Sequence, residues 1–156
     1  MSKKNELGQI GEDFVAHWLE SQGWIILQRR WSCLWGEIDI IAYNSNPQLS
    51  LPTPEATVAF VEVKTRSRGN WDLDGLLAIS PRKQKKLCQT AELFLSNYTE
   101  LAQLPARLDV ALVRSAKLID PGAEILPHGF AIGQTVVWRD YQLTLQNYIP
   151  YAFELG

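Results

Sequence analysis

The stretches Gly36-Glu-Ile-Asp-Ile-Ile-Ala42 and Phe60-Val-Glu-Val-Lys-Thr65 decide how this chain reads. Both have strand composition, and both carry charges at spacing i, i+2. Strand side chains alternate between faces, so Glu37 and Asp39 are expected on one face, and Glu62 and Lys64 likewise share one. Three carboxylates and an ammonium inside strands are costly to desolvate unless they pair with each other or hold a metal. The flanking Val58, Phe60, Val61 and Val63 predict a central strand. An ion pair on a solvated sheet would explain Glu62 and Lys64 alone. It does not explain Asp39 as well.

Working outward, residues 5–22 predict a helix. Leu7, Gly11, Phe14, Val15 and Trp18 fall on one face, Gln9, Asp13, His17 and Glu20 lie opposite, and Gly23 is a stop signal. A first strand is expected over 24–30, a connecting loop over 29–35, and strands over 36–43 and 58–65. The proline-rich segment 44–54 reads as a loop. Ser80-Pro81 is an N-cap followed by proline at the first helical position, so a second helix starts there, with Leu87, Ala91, Phe94 and Tyr98 on its apolar face. Residues 107–113 predict a fourth strand and 135–138 a fifth, with turn formers at 120–122 and 127–129. The tail, 141–155, fits either a strand or a short helix. Helices interleaved with strands give an α/β sheet with helices on its faces.

The chain has 156 residues, 46% hydrophobic and 21% charged, which suits a single domain over 1–156. No apolar signal segment and no run approaching the ~20 residues of a membrane span are visible. Cys33 and Cys88 form no disulfide framework and no metal-ligand spacing, so a cytoplasmic setting without membrane association is expected. A net charge of −2 argues against a protein that coats nucleic acid nonspecifically. The distribution is uneven, however: Lys64, Arg66, Arg68, Arg82, Lys83, Lys85 and Lys86 face only Asp72 and Asp74 in the same segment. A basic zone beside an acidic site suits a phosphate-bearing substrate.

Phosphodiester hydrolysis needs an activated water, neutralised phosphoryl oxygens and help for the leaving oxygen, all of which a hard divalent cation supplies. Magnesium needs only one or two protein carboxylates. Asp39 and Glu62 on adjacent strands could converge on one ion, with the Val63 carbonyl as a further ligand and Lys64 beside it, orienting water or stabilising the phosphate.

Gly-Glu-Ile-Asp-Ile-Ile-Ala, Phe-Val-Glu-Val-Lys-Thr-Arg and Arg-Leu-Asp-Val resemble the blocks of the YraN-like family of small bacterial proteins. That family is grouped by resemblance with Holliday-junction resolvases and restriction-endonuclease-like nucleases. The likeness runs from Leu7-Gly-Gln-Ile-Gly-Glu12 to about Val113 and includes 147–153. It implies an αβββαβ core with a central mixed sheet flanked by helices. It makes Asp39 and Glu62 ligands for magnesium or manganese and Lys64 the catalytic lysine. Resolvase-like members bring a helix-one glutamate to the metal, and here that position is Glu12. Glu12 lies in line with Gly8 and Ala16, small neighbours that would let this helix edge approach the sheet; an ordinary boundary glutamate is the alternative.

Lys83 and Gln84 follow the line of Leu87 and Ala91, so they are expected to point toward the sheet, where with Arg66 and Lys85 they could contact nucleic acid. Arg107 and Asp109, a pair that the resemblance carries, read first as a structural ion pair and second as support for the site. Glu37 could be an outer acid, a second-metal ligand or a partner of Arg107. Trp31, Trp35 and Trp71 fall in expected loops, where they would either anchor the loop or stack on bases. His17 is expected to face solvent, and neither His17 nor His128 has a motif around it.

The expected function is metal-dependent endonuclease cleavage of DNA, with branched or distorted DNA as a candidate substrate and a homodimer by analogy. The rival is a catalytically silent nucleic-acid-binding or scaffold protein that keeps the nuclease fold. Hydrolysis of RNA or a small phosphate ester is a third option.

Overall fold

The computed structural model describes residues 3–44, 56–67, 79–119 and 127–155. Their elements run α1 (Lys3–Ser21), β1 (Ile25–Cys33), β2 (Gly36–Asn44), β3 (Thr57–Arg66), α2 (Pro81–Asn97), a 3₁₀ turn (Leu101–Gln103), β4 (Ala106–Lys117), β5 (Thr135–Trp138) and β6 (Tyr141–Phe153). This is a mixed α/β architecture in the expected order of helix, three strands, helix, strand. The described strands form one six-stranded sheet in the order β1-β2-β3-β4-β6-β5. β3 and β4 are parallel, and the other described pairs are antiparallel. A parallel pair needs a crossover, and α2 lies within it. Among the described residues no helix is long and apolar enough to cross a membrane.

The two helices cover opposite faces. Phe14, Val15, Trp18 and Leu19 of α1 pack on Ala42, Ala59, Val61, Ala111, Leu143 and Leu145. Leu87, Ala91 and Phe94 of α2 pack on Ile41, Phe60, Leu108 and Val110. β3 and β4 are therefore buried on both sides, which is why they read as unbroken apolar runs. Gly23 ends α1 at φ +94, with Trp24 N–H returning to the Leu19 carbonyl at 3.0 Å. That φ is accessible to glycine without penalty, as the stop signal required. Ser80 caps α2 by accepting from Lys83 N–H at 3.2 Å.

Three expectations are corrected and one left open is resolved. The loop expected over 29–35 is strand up to Cys33, followed by a tight turn at Leu34–Trp35. Arg29 and Arg30, where the expected strand and loop overlap, each pair with an acid on α1: Arg29 donates to Asp13 and Arg30 Nε to Glu12, both at 2.6 Å. Trp31 therefore sits in a strand, edge-to-face on Phe94 with centroids 5.3 Å apart, and anchors α2. The ambiguous tail is a strand between β4 and β5. His17 is half-buried, with Nε2 2.6 Å from the Pro127 carbonyl. Trp71, Arg68, Asp72 and Asp74, most of the expected proline-rich loop, and the turn at 120–122 lie outside the described residues.

The helix edge that meets the sheet closely is Gly11, whereas Gly8 has open space around it. A Cβ at Gly11 would lie 1.9 Å from Thr65 Oγ1 and 3.1 Å from Thr65 Cβ. Alanine would gain about 1 kcal/mol of helix propensity, but overpacking costs about 1–3 kcal/mol. Gly11→Ala is expected to lower stability by up to about 2 kcal/mol on that balance. Thr65 Oγ1 is buried without a hydrogen-bond partner among the described residues, so Thr65→Ala alone should be nearly neutral. The double variant should regain most of the loss, a non-additivity that urea denaturation of the four proteins would read. A fully stable Gly11→Ala protein would show that Thr65 simply rotates aside.

Candidate active site

Five elements bring charge to one place beside the β2–β3 seam. Pairing between these strands runs from Asn44↔Thr57 to Ile40↔Val61 and stops. Beyond it, Asp39 Oδ2 accepts the Val63 N–H at 2.7 Å, so a side chain replaces a strand carbonyl. The backbone is irregular here: Ile38 and Ile40, two residues apart, belong to core clusters on opposite faces, and Arg30, across from this point in β1, has φ +53. The sheet opens at the position that carries the carboxylate.

Glu62 is only 6% exposed. Its Oε1 is shared by Lys64 Nζ at 3.3 Å and Lys83 Nζ at 3.0 Å. Its Oε2 is buried and has no hydrogen-bond partner among the described residues. Burial, and then the Glu62 charge, push Asp39 up from the ordinary carboxylate value to about 8, with Glu12 adding to the repulsion. The two lysines respond differently. Burial lowers Lys64, and the adjacent Lys83 lowers it further against the pull of Glu62. Burial also acts to lower Lys83, but contact with Lys64 and the charges of Glu62 and Asp39 outweigh it, and Lys83 is raised. Lys83 keeps its proton and Lys64 releases one more readily.

Helix periodicity placed Lys83 toward the sheet, and its ammonium does reach Glu62. Gln84 is half-buried, and its amide donates to the Ile79 carbonyl at 3.0 Å. Lys85 and Arg66 are exposed. Glu12 is tied to Arg30 within electrostatic reach of Asp39. Arg30 was not expected at the site, because its pairing depends on α1 crossing β1, which no sequence spacing reports. Among the described residues no three His, Cys, Asp or Glu side chains converge closely enough to hold an ion by themselves.

Arg107 and Asp109 form a buried pair at 3.1 Å on β4, so Arg107 is not the partner of Glu37. Glu37 is exposed and lines a cleft of about 540 Å³ between the β1–β2 turn and the start of α2. Trp35, Arg82, Lys83, Lys86 and Leu87 share that cleft. Lys83 thus belongs both to the cleft and to the carboxylate site.

Comparison with known proteins matches residues 11–113 to a family described as Uncharacterised protein family UPF0102. The matched span holds Glu12, Asp39, Glu62, Lys64, Lys83, Arg107 and Asp109. A UPF0102 protein of Trichodesmium erythraeum is 47% identical across 98% of this chain and 91% of its own length. Similar proteins from Acaryochloris marina and Synechocystis sp. are 46% and 45% identical, across 99% and 95% of this chain and 93% and 97% of their own. The chain therefore belongs to the uncharacterised protein family UPF0102.

Proposed function

We propose that this chain is a metal-dependent nuclease that hydrolyses DNA phosphodiesters on a restriction-endonuclease-like core, with branched or distorted DNA as its candidate substrate. The observation that carries this reading is the unsatisfied Glu62 Oε2 beside an Asp39 that burial and like charge hold protonated. A buried acceptor left unpaired costs about 1–3 kcal/mol. A hard cation between the two carboxylates would satisfy that oxygen and let Asp39 ionise. Magnesium keeps most of its waters, so Asp39, Glu62 and the Val63 carbonyl, at the edge where Val63 N–H meets Asp39, form a sufficient set. The αβββαβ order of the elements supports the core assignment.

Bound magnesium or manganese would supply charge neutralisation at the phosphoryl oxygens and acidify the attacking water. Lys64 would hydrogen-bond a non-bridging oxygen, where its lowered proton affinity also favours transfer to or from water. Lys83 would hold the Glu62 carboxylate in place through Oε1. Glu12, fixed by Arg30, would orient water on the α1 side.

The rival reading, a nucleic-acid-binding protein without turnover, draws on one observation: two ammonium groups already neutralise Glu62. The test is cleavage of single-stranded, duplex and four-way-junction DNA with and without magnesium or manganese. Metal-dependent cleavage is expected, with Lys64→Ala reducing it by about 100-fold or more, the scale of a lost transition-state donor. Cleavage unchanged in Asp39→Asn or Lys64→Ala would sink the assignment. Salt-sensitive binding with no cleavage under any metal would favour the rival.

A further inference from the structure

We propose that the cleft between the β1–β2 turn and α2 holds one unstacked nucleotide of a single-stranded or locally opened nucleic acid, with its base on Trp35 and its phosphate on Arg82 and Lys86. This deepens the nuclease reading by naming the form of substrate that reaches the site. The binding half of the inference stands without catalysis.

Size comes first. A cleft of about 540 Å³ lies within the ~300–1,000 Å³ range of small-ligand sites. A duplex keeps its bases inside the stack, so only an extruded or unpaired base can enter such a space. Chemistry comes second. Trp35 is 44% exposed at a turn whose other residue, Leu34, is 88% exposed, so the hairpin tip offers apolar surface to an outside group. Single exposed aromatics are ordinary. This one lines a concave wall that also carries Arg82 and Lys86, which make no ion pair among the described residues. An aromatic face together with cations is the combination that binds unpaired strands regardless of sequence.

Glu37 narrows the class further. A carboxylate in the cleft disfavours a site for bare phosphate, and it can accept from the amino or imino hydrogens on a base edge. The neutral side chains are already engaged: the Ser80 hydroxyl accepts from Lys83 N–H, and the Thr90 hydroxyl donates to the Lys86 carbonyl at 2.7 Å. The charged groups and the indole are what remain for a ligand. Lys83 then provides continuity. It lines the cleft while its Nζ lies 3.0 Å from Glu62, so a strand anchored there by one nucleotide passes toward the carboxylates.

The experiment is fluorescence anisotropy in EDTA, so that no cleavage intervenes, using labelled single-stranded DNA, single-stranded RNA and blunt duplex DNA. The parent protein is expected to bind a single strand more tightly than the duplex. Trp35→Ala should weaken single-strand binding by about 5- to 150-fold, the range for losing one base stack, and Trp35→Phe should restore most of it. Arg82→Ala and Lys86→Ala should each reduce the slope of log affinity against log salt by about one. The DNA and RNA strands distinguish the source, because equal binding means that the 2′-hydroxyl goes unread. Duplex bound as tightly as single strand, or Trp35→Ala indistinguishable from the parent, overturns the proposal. If the protein still cuts DNA in that case, the metal site survives and the cleft does not. If Trp35 governs strand binding in a protein that cuts nothing, the cleft survives and the nuclease does not.

Discussion

Asp39→Asn is expected to make the metal-free protein more stable while abolishing its response to magnesium or manganese. A functional site that holds like charges together trades stability for function, so a gain in one with loss of the other is the expected signature. In the absence of metal, Asp39 and Glu62 place two acids in one buried region, and Asp39 is held protonated up to about pH 8. Its folded pKa lies above the unfolded value of 3.8, so the native state binds the extra proton. That contribution is fully present below pH 3.8 and is lost as the pH rises through about 8. Metal-free stability should therefore fall between those limits, and the fall should shrink in Asp39→Asn.

Asparagine keeps an oxygen for the Val63 N–H and removes the charge, so a gain of order 1 kcal/mol or more is expected at pH 8. That corresponds to about 2–4 °C in Tm for a chain of this size. At the proposed site, metal would act in the opposite sense by selecting the ionised carboxylates, so it should stabilise the parent protein more at pH 8 than at pH 5. Its apparent affinity should drop by more than the 10- to 100-fold typical of losing an outer partner of a ligand. Thermal melts at both pH values, with EDTA and with magnesium, read all four corners. A variant that melts lower than the parent in EDTA would show that the two acids are not in conflict.

The fold was legible where a single local rule decided the outcome. β3 and β4 carry their identity in unbroken apolar runs, and Ser80-Pro81 and Gly23 mark helix ends by backbone chemistry that acts within a few residues. Legibility failed where identity depends on a distant partner. The continuation of β1 through Trp31 to Cys33 goes with Trp31 packing on Phe94 of α2, and the ion pairs of Arg29 and Arg30 use acids of α1 that lie 16 and 18 residues away. β6 was ambiguous because its alternation is interrupted near Pro150 and Tyr151, where it leaves regular pairing with β4. The site divides along the same line. The proximity of Glu62 and Lys64 follows from strand spacing, and the direction of Lys83 from helix periodicity. The bond from Val63 N–H to Asp39, the partner of Glu12 and the Trp35 cleft required the strands and helices to be assembled.

Asp109→Ala is expected to be the most damaging single substitution outside the site, because Asp109 does two jobs. Its Oδ2 lies 3.1 Å from Arg107 Nε and accepts from the Tyr148 hydroxyl, while its Oδ1 accepts the Tyr151 N–H at 3.1 Å. Tyr151 has φ +52, at the point where the β4–β6 register shifts. Asp109 thus pins an irregular strand just as Asp39 does at the β2–β3 seam. Arg107 is buried between the Trp24 and Tyr151 rings, 4.9 and 5.1 Å from their centroids, so it cannot recruit solvent when its carboxylate is removed. Removing one partner of a buried pair costs about 3–5 kcal/mol, or roughly 6–20 °C in Tm at this chain length.

The combination Arg107→Met with Asp109→Leu separates the two jobs. If only the ion pair mattered, an apolar replacement of both partners would be nearly neutral. The Tyr151 N–H and the Tyr148 hydroxyl, both part-buried, would still lose their acceptor, so a residual loss of up to about 1–3 kcal/mol for each is expected. Guanidinium denaturation of the single and double variants measures both quantities. Full recovery in the double variant would mean that β6 holds its irregular turn without Asp109, and the comparison with Asp39 would fail.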